Sequence, residues 1–199
     1  MSPRPRRVSD NDILVAALRA IDRVGPQKLT LADVAGEAGI SAAALVQRFG
    51  SKRALLLAAA ADVSRGSEFI FPGLRARHRS PVRALIGMAE CMTLWGATPD
   101  AVANHLAFRQ LDLTDQEFHR YARIASSGIR LGLKTLVIDA IKARELRRCN
   151  AGRLASALEA TLNGSLINWA VHREGDVVAW IRRDVETVLR PYRTRNRPN

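Results

Sequence analysis

Leu31-Ala-Asp-Val-Ala-Gly-Glu-Ala-Gly-Ile-Ser-Ala-Ala-Ala-Leu-Val-Gln-Arg-Phe49 has the spacing of two short helices joined by a tight turn. Ala35 is small where the helices would pack closest, Gly39 can take the left-handed backbone of the turn, and Ile40 and Leu45 plug the angle between the helices. Thr30 and Ser41 are residue types that cap helices, and the amides at such N-termini can face phosphates. Any αα-corner uses small residues and a glycine. The pattern alone therefore leaves two readings open, a structural corner or a DNA-reading helix-turn-helix.

Helix punctuation continues on both sides. A first helix starts at Ser9, with Asp12 three residues on, and ends at Gly25-Pro26; Ile13, Leu14, Ala17, Leu18, Ile21 and Val24 share one face. Ser51 opens a fourth helix reaching about Arg65, and the arginine-rich stretch around Pro72, Gly73 and His78 reads as a loop. Ser80-Pro81 and Thr98-Pro99 each place proline just after a cap. Thr114-Asp115-Gln116-Glu117 reads as a capping box opening a long helix, apolar around much of its circumference and so expected at the centre of the fold. Asn150 and Asp176 cap two final helices. Strand-like alternation flanked by turn pairs is absent, so the expected fold is all-α with about nine helices.

The chain has 199 residues, 47% hydrophobic and 5% aromatic, long enough for a real core and too apolar for a disordered polycation. With 31 basic and 19 acidic side chains its formal charge is +12, which suits a polyanionic partner such as nucleic acid. All but four of the basic residues are arginine and alanine is abundant, so biased composition accounts for part of that charge equally well. Residues 1–53 carry nine basic and five acidic side chains, residues 54–199 carry 22 and 14, so the charge does not locate a site. Cys91 and Cys149 have no CxxC spacing and no neighbouring metal ligands, and read as reduced and structural. The longest apolar stretch, 54–63, is far short of the ~20 residues a membrane span needs. Arg4, Arg6 and Arg7 are followed by polar residues rather than a signal-peptide core, so a cytoplasmic location is expected.

From Ser9 to Leu57 the chain resembles the N-terminal domain of the tetracycline-repressor (TetR) family of bacterial transcription regulators. The resemblance rests on a first helix ending at Gly25, on Leu29-Thr30, Val34-Ala35 and Ala38-Gly39-Ile40-Ser41, and on Leu45, Phe49, Ser51, Lys52 and Leu55-Leu56. It implies an N-terminal three-helix helix-turn-helix domain followed by a C-terminal helical ligand-binding and dimerisation domain. The expected divisions are a basic, disordered arm at 1–8, a DNA-binding domain at 9–57 with the helix-turn-helix at about 31–50, an effector and dimerisation domain at 58–190, and a flexible tail at 191–199.

Carried over residue by residue, the resemblance makes Ser41 to Phe49 the recognition helix, with Ala42, Ala43, Val46 and Gln47 facing the major groove. Thr30 and Lys52 match positions that grip phosphates, and Arg6 and Arg7 would form part of a basic arm reaching a groove or backbone. Val46 departs from the tyrosine usual in the family, Ala44 from a common threonine, and Arg48 from histidine or tyrosine. Three consecutive alanines leave few groups to read base edges. Gln47 suits adenine and Arg48, if it reaches, guanine or a phosphate, so modest specificity or a reliance on DNA shape is expected.

The implied partners are a palindromic double-stranded operator, a second copy of the chain and a small-molecule effector. A dimer surface is expected from two stripes, Leu158, Leu162 and Leu166 in the penultimate helix and Val177, Ile181 and Val185 in the last, with Gly164 and Ser165 permitting close approach; the same stripes would also suit ordinary core. An effector pocket would be lined by some of Met92, Trp95, His105, Phe108, Phe118, Tyr121 and Trp169. Gly128 and Gly132, one turn apart, either admit a neighbouring helix or leave room for a ligand.

No nucleophile motif, phosphate loop or metal-ligand spacing accompanies the four histidines, so the reading contains no enzyme, cofactor or metal. A non-specific nucleic-acid binder or pure interaction module on the same fold is the rival.

Overall fold

A computed structural model describes residues 8–194. It consists of ten α-helices and two short 3₁₀ turns, with no strand among the described residues beyond an isolated Leu146–Arg193 bridge. Helix α1 (Asp10–Lys28) begins in the expected capping box. The Ser9 hydroxyl accepts from the Asp12 amide at 3.2 Å and the Asp12 carboxylate accepts from the Ser9 amide at 3.0 Å. Gly25, at φ +76°, breaks α1, and one further turn runs on through Pro26 to Lys28. Next come α2 (Leu31–Ala38), α3 (Ala42–Phe49) and α4 (Lys52–Ser64), then α5 (Ser67–Arg77), α6 (Pro81–Met92) and α7 (Pro99–Thr114). The long α8 (Gln116–Lys142), α9 (Ala151–His172) and α10 (Val177–Leu189) complete the chain.

Three local expectations are corrected. The stretch read as a loop is α5, although Pro72 within it removes a helical hydrogen bond. Burial of Phe71 and Leu74 outweighs that loss, and Gly128 and Gly132 on α8 make the room. A Cβ built at Gly132 would sit 2.1 Å from the Phe71 ring and one at Gly128 2.3 Å from Ser67 Oγ, so the two glycines admit a helix. Second, Thr114 does not cap α8: its hydroxyl bonds back to the Gln110 carbonyl in α7, and Asp115 caps α8 by accepting from the Glu117 amide at 3.0 Å. Third, α8 is central only in part. Leu133, Leu136, Val137 and Ala140 are buried, whereas Ile124 and Leu131 are 46% and 64% exposed.

The first four residues of the expected tail are docked rather than free. Tyr192 accepts from the Arg147 amide at 2.7 Å, and Thr194 bonds to the Arg144 and Glu145 carbonyls. The last five residues lie outside the described range.

The apolar residues form two cores. The larger joins α5, α6, the second half of α8, α9 and α10 around Leu85, Met88, Leu136, Leu158 and Ile181. The smaller gathers Ile13, Ile21, Val34, Leu45 and Leu55 from α1 to α4, and it includes Phe108 of α7 and Phe118 of α8, whose rings meet edge to face with centroids 6.0 Å apart. The helix-turn-helix unit is thus completed by side chains far along the chain. Asn104 of α7 adds a polar tie, donating to the Asp22 carbonyl at 2.9 Å.

Candidate nucleic-acid interface

The turn between α2 and α3 is built by one residue's backbone freedom. Gly39 sits at φ +68°, and the Ile40 amide returns to the Ala35 carbonyl at 3.0 Å. Ser41 then caps α3, accepting from the Ala44 amide at 3.1 Å. On α3 only Leu45 is buried; Ala42, Ala43, Val46 and Gln47 are exposed together on the opposite side, and Phe49 packs partly against the core. The helix therefore presents a short, mostly apolar face with one amide side chain.

Several residues expected at this surface are engaged within the chain. Arg48 donates to the Val8 carbonyl at 2.7 Å and lies 3.4 Å from the Asp10 carboxylate, which ties it to the start of α1. The Thr30 hydroxyl accepts from the Asp33 amide and donates to the Asp33 carboxylate at 2.6 Å, and that carboxylate also takes the Thr30 amide at 2.8 Å. These bonds to Thr30 hold the Asp33 carboxyl below its ordinary range. Thr30 thus stands in a capping box with a fixed anion beside it. Thr30 and Asp33 have the cap-x-x-acid spacing that marks this box in sequence. Lys52 reaches the Gln27 carbonyl at 3.3 Å, which leaves two of its three protons for other acceptors. Arg6 and Arg7 lie outside the described residues.

The family model described as "Bacterial regulatory proteins, tetR family" matches residues 13–59. The chain is 32% identical to the HTH-type transcriptional regulator BetI of Agrobacterium fabrum over 166 residues, covering 76% of this chain and 72% of that one. This chain belongs to the TetR family. Solved structures agree on the fold. A TetR-family regulator from Agrobacterium tumefaciens superposes at TM-score 0.72 with 21% identity, over 93% of this chain and 97% of that one. A TetR regulator from Haloarcula marismortui gives 0.71 with 18% identity, over 93% and 98%. FadR of Bacillus subtilis, solved with stearoyl-CoA, gives 0.67 with 16% identity, over 91% and 98%. The protein is a helix-turn-helix transcriptional regulator.

Within this TetR-family fold the residues expected at the effector pocket are divided between the two cores, and those expected at the dimer surface lie against their own chain. Phe108 and Phe118 belong to the smaller core, with Tyr121 packed against it, and Met92 and Trp169 belong to the larger. Trp169 donates its indole N–H to the Gly175 carbonyl at 3.1 Å. His105 is buried, and burial, with Arg109 nearby, pulls its pKa down to about 4. The Trp95 side chain lies outside what is described.

Leu158, Leu162, Leu166, Val177, Ile181 and Val185 are all at most 7% exposed and pack into their own chain's larger core. The two apolar stripes face each other and α6, as amphipathic helices do when one chain covers both. The outer side of α9 and α10 is a shallow groove lined by Thr161, Gly164, Ser165, Asn168, Asp184, Thr187 and Val188.

Proposed function

We propose that this protein acts in the cytoplasm as a dimeric repressor that binds a palindromic operator and leaves it when a small molecule binds. The observation that carries this is the arrangement of α3: Leu45 anchors it, and Ala42, Ala43, Val46 and Gln47 stand outward together. Such a face enters a major groove, with alanine methyls against thymine methyls and Gln47 on adenine. Lys52 supplies a phosphate contact. One short helix makes few contacts, and a two-fold dimer places two of them about 34–36 Å apart on one side of the duplex.

The partner copy is met through the outer groove of α9 and α10. Its small residues allow close approach, since a Cβ at Gly164 would meet nothing within 4 Å. Release follows if the effector favours a different tilt of α4, because α4 leads out of the recognition helix and packs on α8. Footprinting on genomic fragments tests the proposal. Protection of a short inverted repeat supports it, whereas uniform coverage with a steep salt dependence supports the non-specific binder that the +12 charge and the alanine-rich α3 would also permit.

A further inference from the structure

The end of α7 and the first half of α8 diverge around an open cleft of about 420 Å³, within the size range of small-molecule sites. Its lining includes Arg109, Asp112, His119, Arg123, Ser126 and Arg130. Three guanidinium groups around one small volume are hard to explain by internal pairing alone. Arg130 is held by Glu159 at 2.9 Å, and Arg109 is 3.6 Å from Asp112. Arg123 has no hydrogen bond or ion pair among the described residues. Two carboxylates against three arginines leave the cleft with an excess of fixed positive charge. Ser126 donates to Glu159 at 2.6 Å, and the Ser127 hydroxyl is a further donor beside it.

We propose that this cleft binds the anionic group of a small effector, a carboxylate or a phosphate. Guanidinium forks match both groups in bidentate geometry, and the Ser127 hydroxyl completes the donor set. The exposed Leu113 at the rim suits an apolar portion of the same molecule. The cleft opens at the α7–α8 junction, where Asp115 caps α8 and holds Arg53 of α4 at 3.0 Å. A ligand that draws Arg109 and Arg123 together shifts that junction and pulls on the helix leading out of the DNA-binding head. The assignment rests on the effector-responsive regulator proposed above and names the chemistry that it senses.

The test uses the full chain and three probes at fixed ionic strength: inorganic phosphate, pyrophosphate and succinate, with chloride as the reference ion. Calorimetry is expected to show saturable binding of at least one probe. Arg123→Gln should weaken it by about tenfold, the worth of one charge-assisted contact, with an unchanged melting temperature. Arg183→Gln, which removes a guanidinium stacked on Trp180 away from the cleft, should not weaken it. Phosphate and succinate separate the two sources of negative charge. No saturable binding, or binding indifferent to Arg123→Gln, overturns the assignment. So does an Arg123→Gln variant that loses affinity for every DNA sequence alike, which would make the cleft a nucleic-acid contact. Footprinting of the same samples keeps the two proposals apart. A protected inverted repeat without anion binding removes the cleft and leaves the regulator; absence of any protected repeat removes the regulator itself.

Discussion

The guanidinium of Arg53, in the first turn of α4, lies 3.0 Å from the carboxylate of Asp115, the residue that caps α8. Burial pushes the Asp115 carboxyl up, but the Glu117 amide and Arg53 outweigh it and hold it below its ordinary range. Arg53 also meets Glu117 at 2.5 Å and stands over the Phe118 ring at 5.6 Å. One side chain thus joins the helix that leaves the DNA-binding head to the start of the longest helix. Both partners are partly exposed, so Arg53→Gln and Asp115→Asn should each lower the urea midpoint only slightly. The double variant should cost less than the two losses added together. Full additivity would mean that the pair does not interact.

Gly132→Ala tests the packing of α5 on α8. In an open helix the change would stabilise by up to about 1 kcal/mol. Here the new methyl falls 2.1 Å from the Phe71 ring, so a net loss of about 1–3 kcal/mol is expected from overpacking. Adding Phe71→Ala should cost less in the Gly132→Ala background than in the parent, as thermal or urea melts would show. Gly164→Ala, with open space at the Cβ, is the control and should not destabilise the monomer.

The two sides of α9 should respond differently. Leu162→Ala empties a buried position and is expected to lower stability by about 2–5 kcal/mol. Gly164→Arg, on the outer groove, should leave the fold intact and shift sedimentation from dimer to monomer. A monomer–dimer equilibrium unchanged by Gly164→Arg would place the partner on another surface.

On DNA, Lys52→Ala should weaken binding to all sequences alike and reduce the salt slope by about one ion. Gln47→Ala should instead change the ranking of operator variants; an equal loss across variants would deny Gln47 a part in base readout. Arg48→Ala, given its bonds to Val8 and Asp10, should alter stability slightly and ranking little. Competition binding over an operator library at two salt concentrations separates the three.

The pH dependence has a defined sign at Asp22. Burial raises its folded pKa to about 6 from an ordinary 3.8, so the folded state holds a proton that the unfolded state releases between those values. Its ionisation therefore costs stability as pH rises through about 6. Asp22→Asn, which keeps the backbone carbonyl that Asn104 uses, should be more stable than the parent at neutral pH and lose that advantage by pH 4. His105 works oppositely: its folded pKa of about 4 lies below the unfolded 6.5, so acidification below 6.5 destabilises. Chemical denaturation of both proteins across this range checks the crossing.

What the amino-acid order alone determined is local. Gly39 at the turn, Ser41 before α3, proline after Ser80 and Thr98, and Asn150 and Asp176 before the last helices act on backbone groups within a few residues, so their meaning is readable without the rest of the chain. The outward face of α3 was implied by the family resemblance, and Leu45, with Phe49 beside it, packs into the smaller core. Contacts between distant segments were a matter for the tertiary structure. An amphipathic stripe reveals which side of a helix avoids water but not what covers it, so α9 and α10 were legible as helices while their apolar sides proved to face their own chain. The glycines of α8 left two uses open until Phe71 occupied the space, and the proline of α5 signalled a loop until the burial of Leu74 and Phe71 outweighed it. The Thr30–Asp33 box lay within three residues and was open to reading, whereas the bond from Arg48 to the Val8 carbonyl spans forty residues and only the folded chain brings the two together.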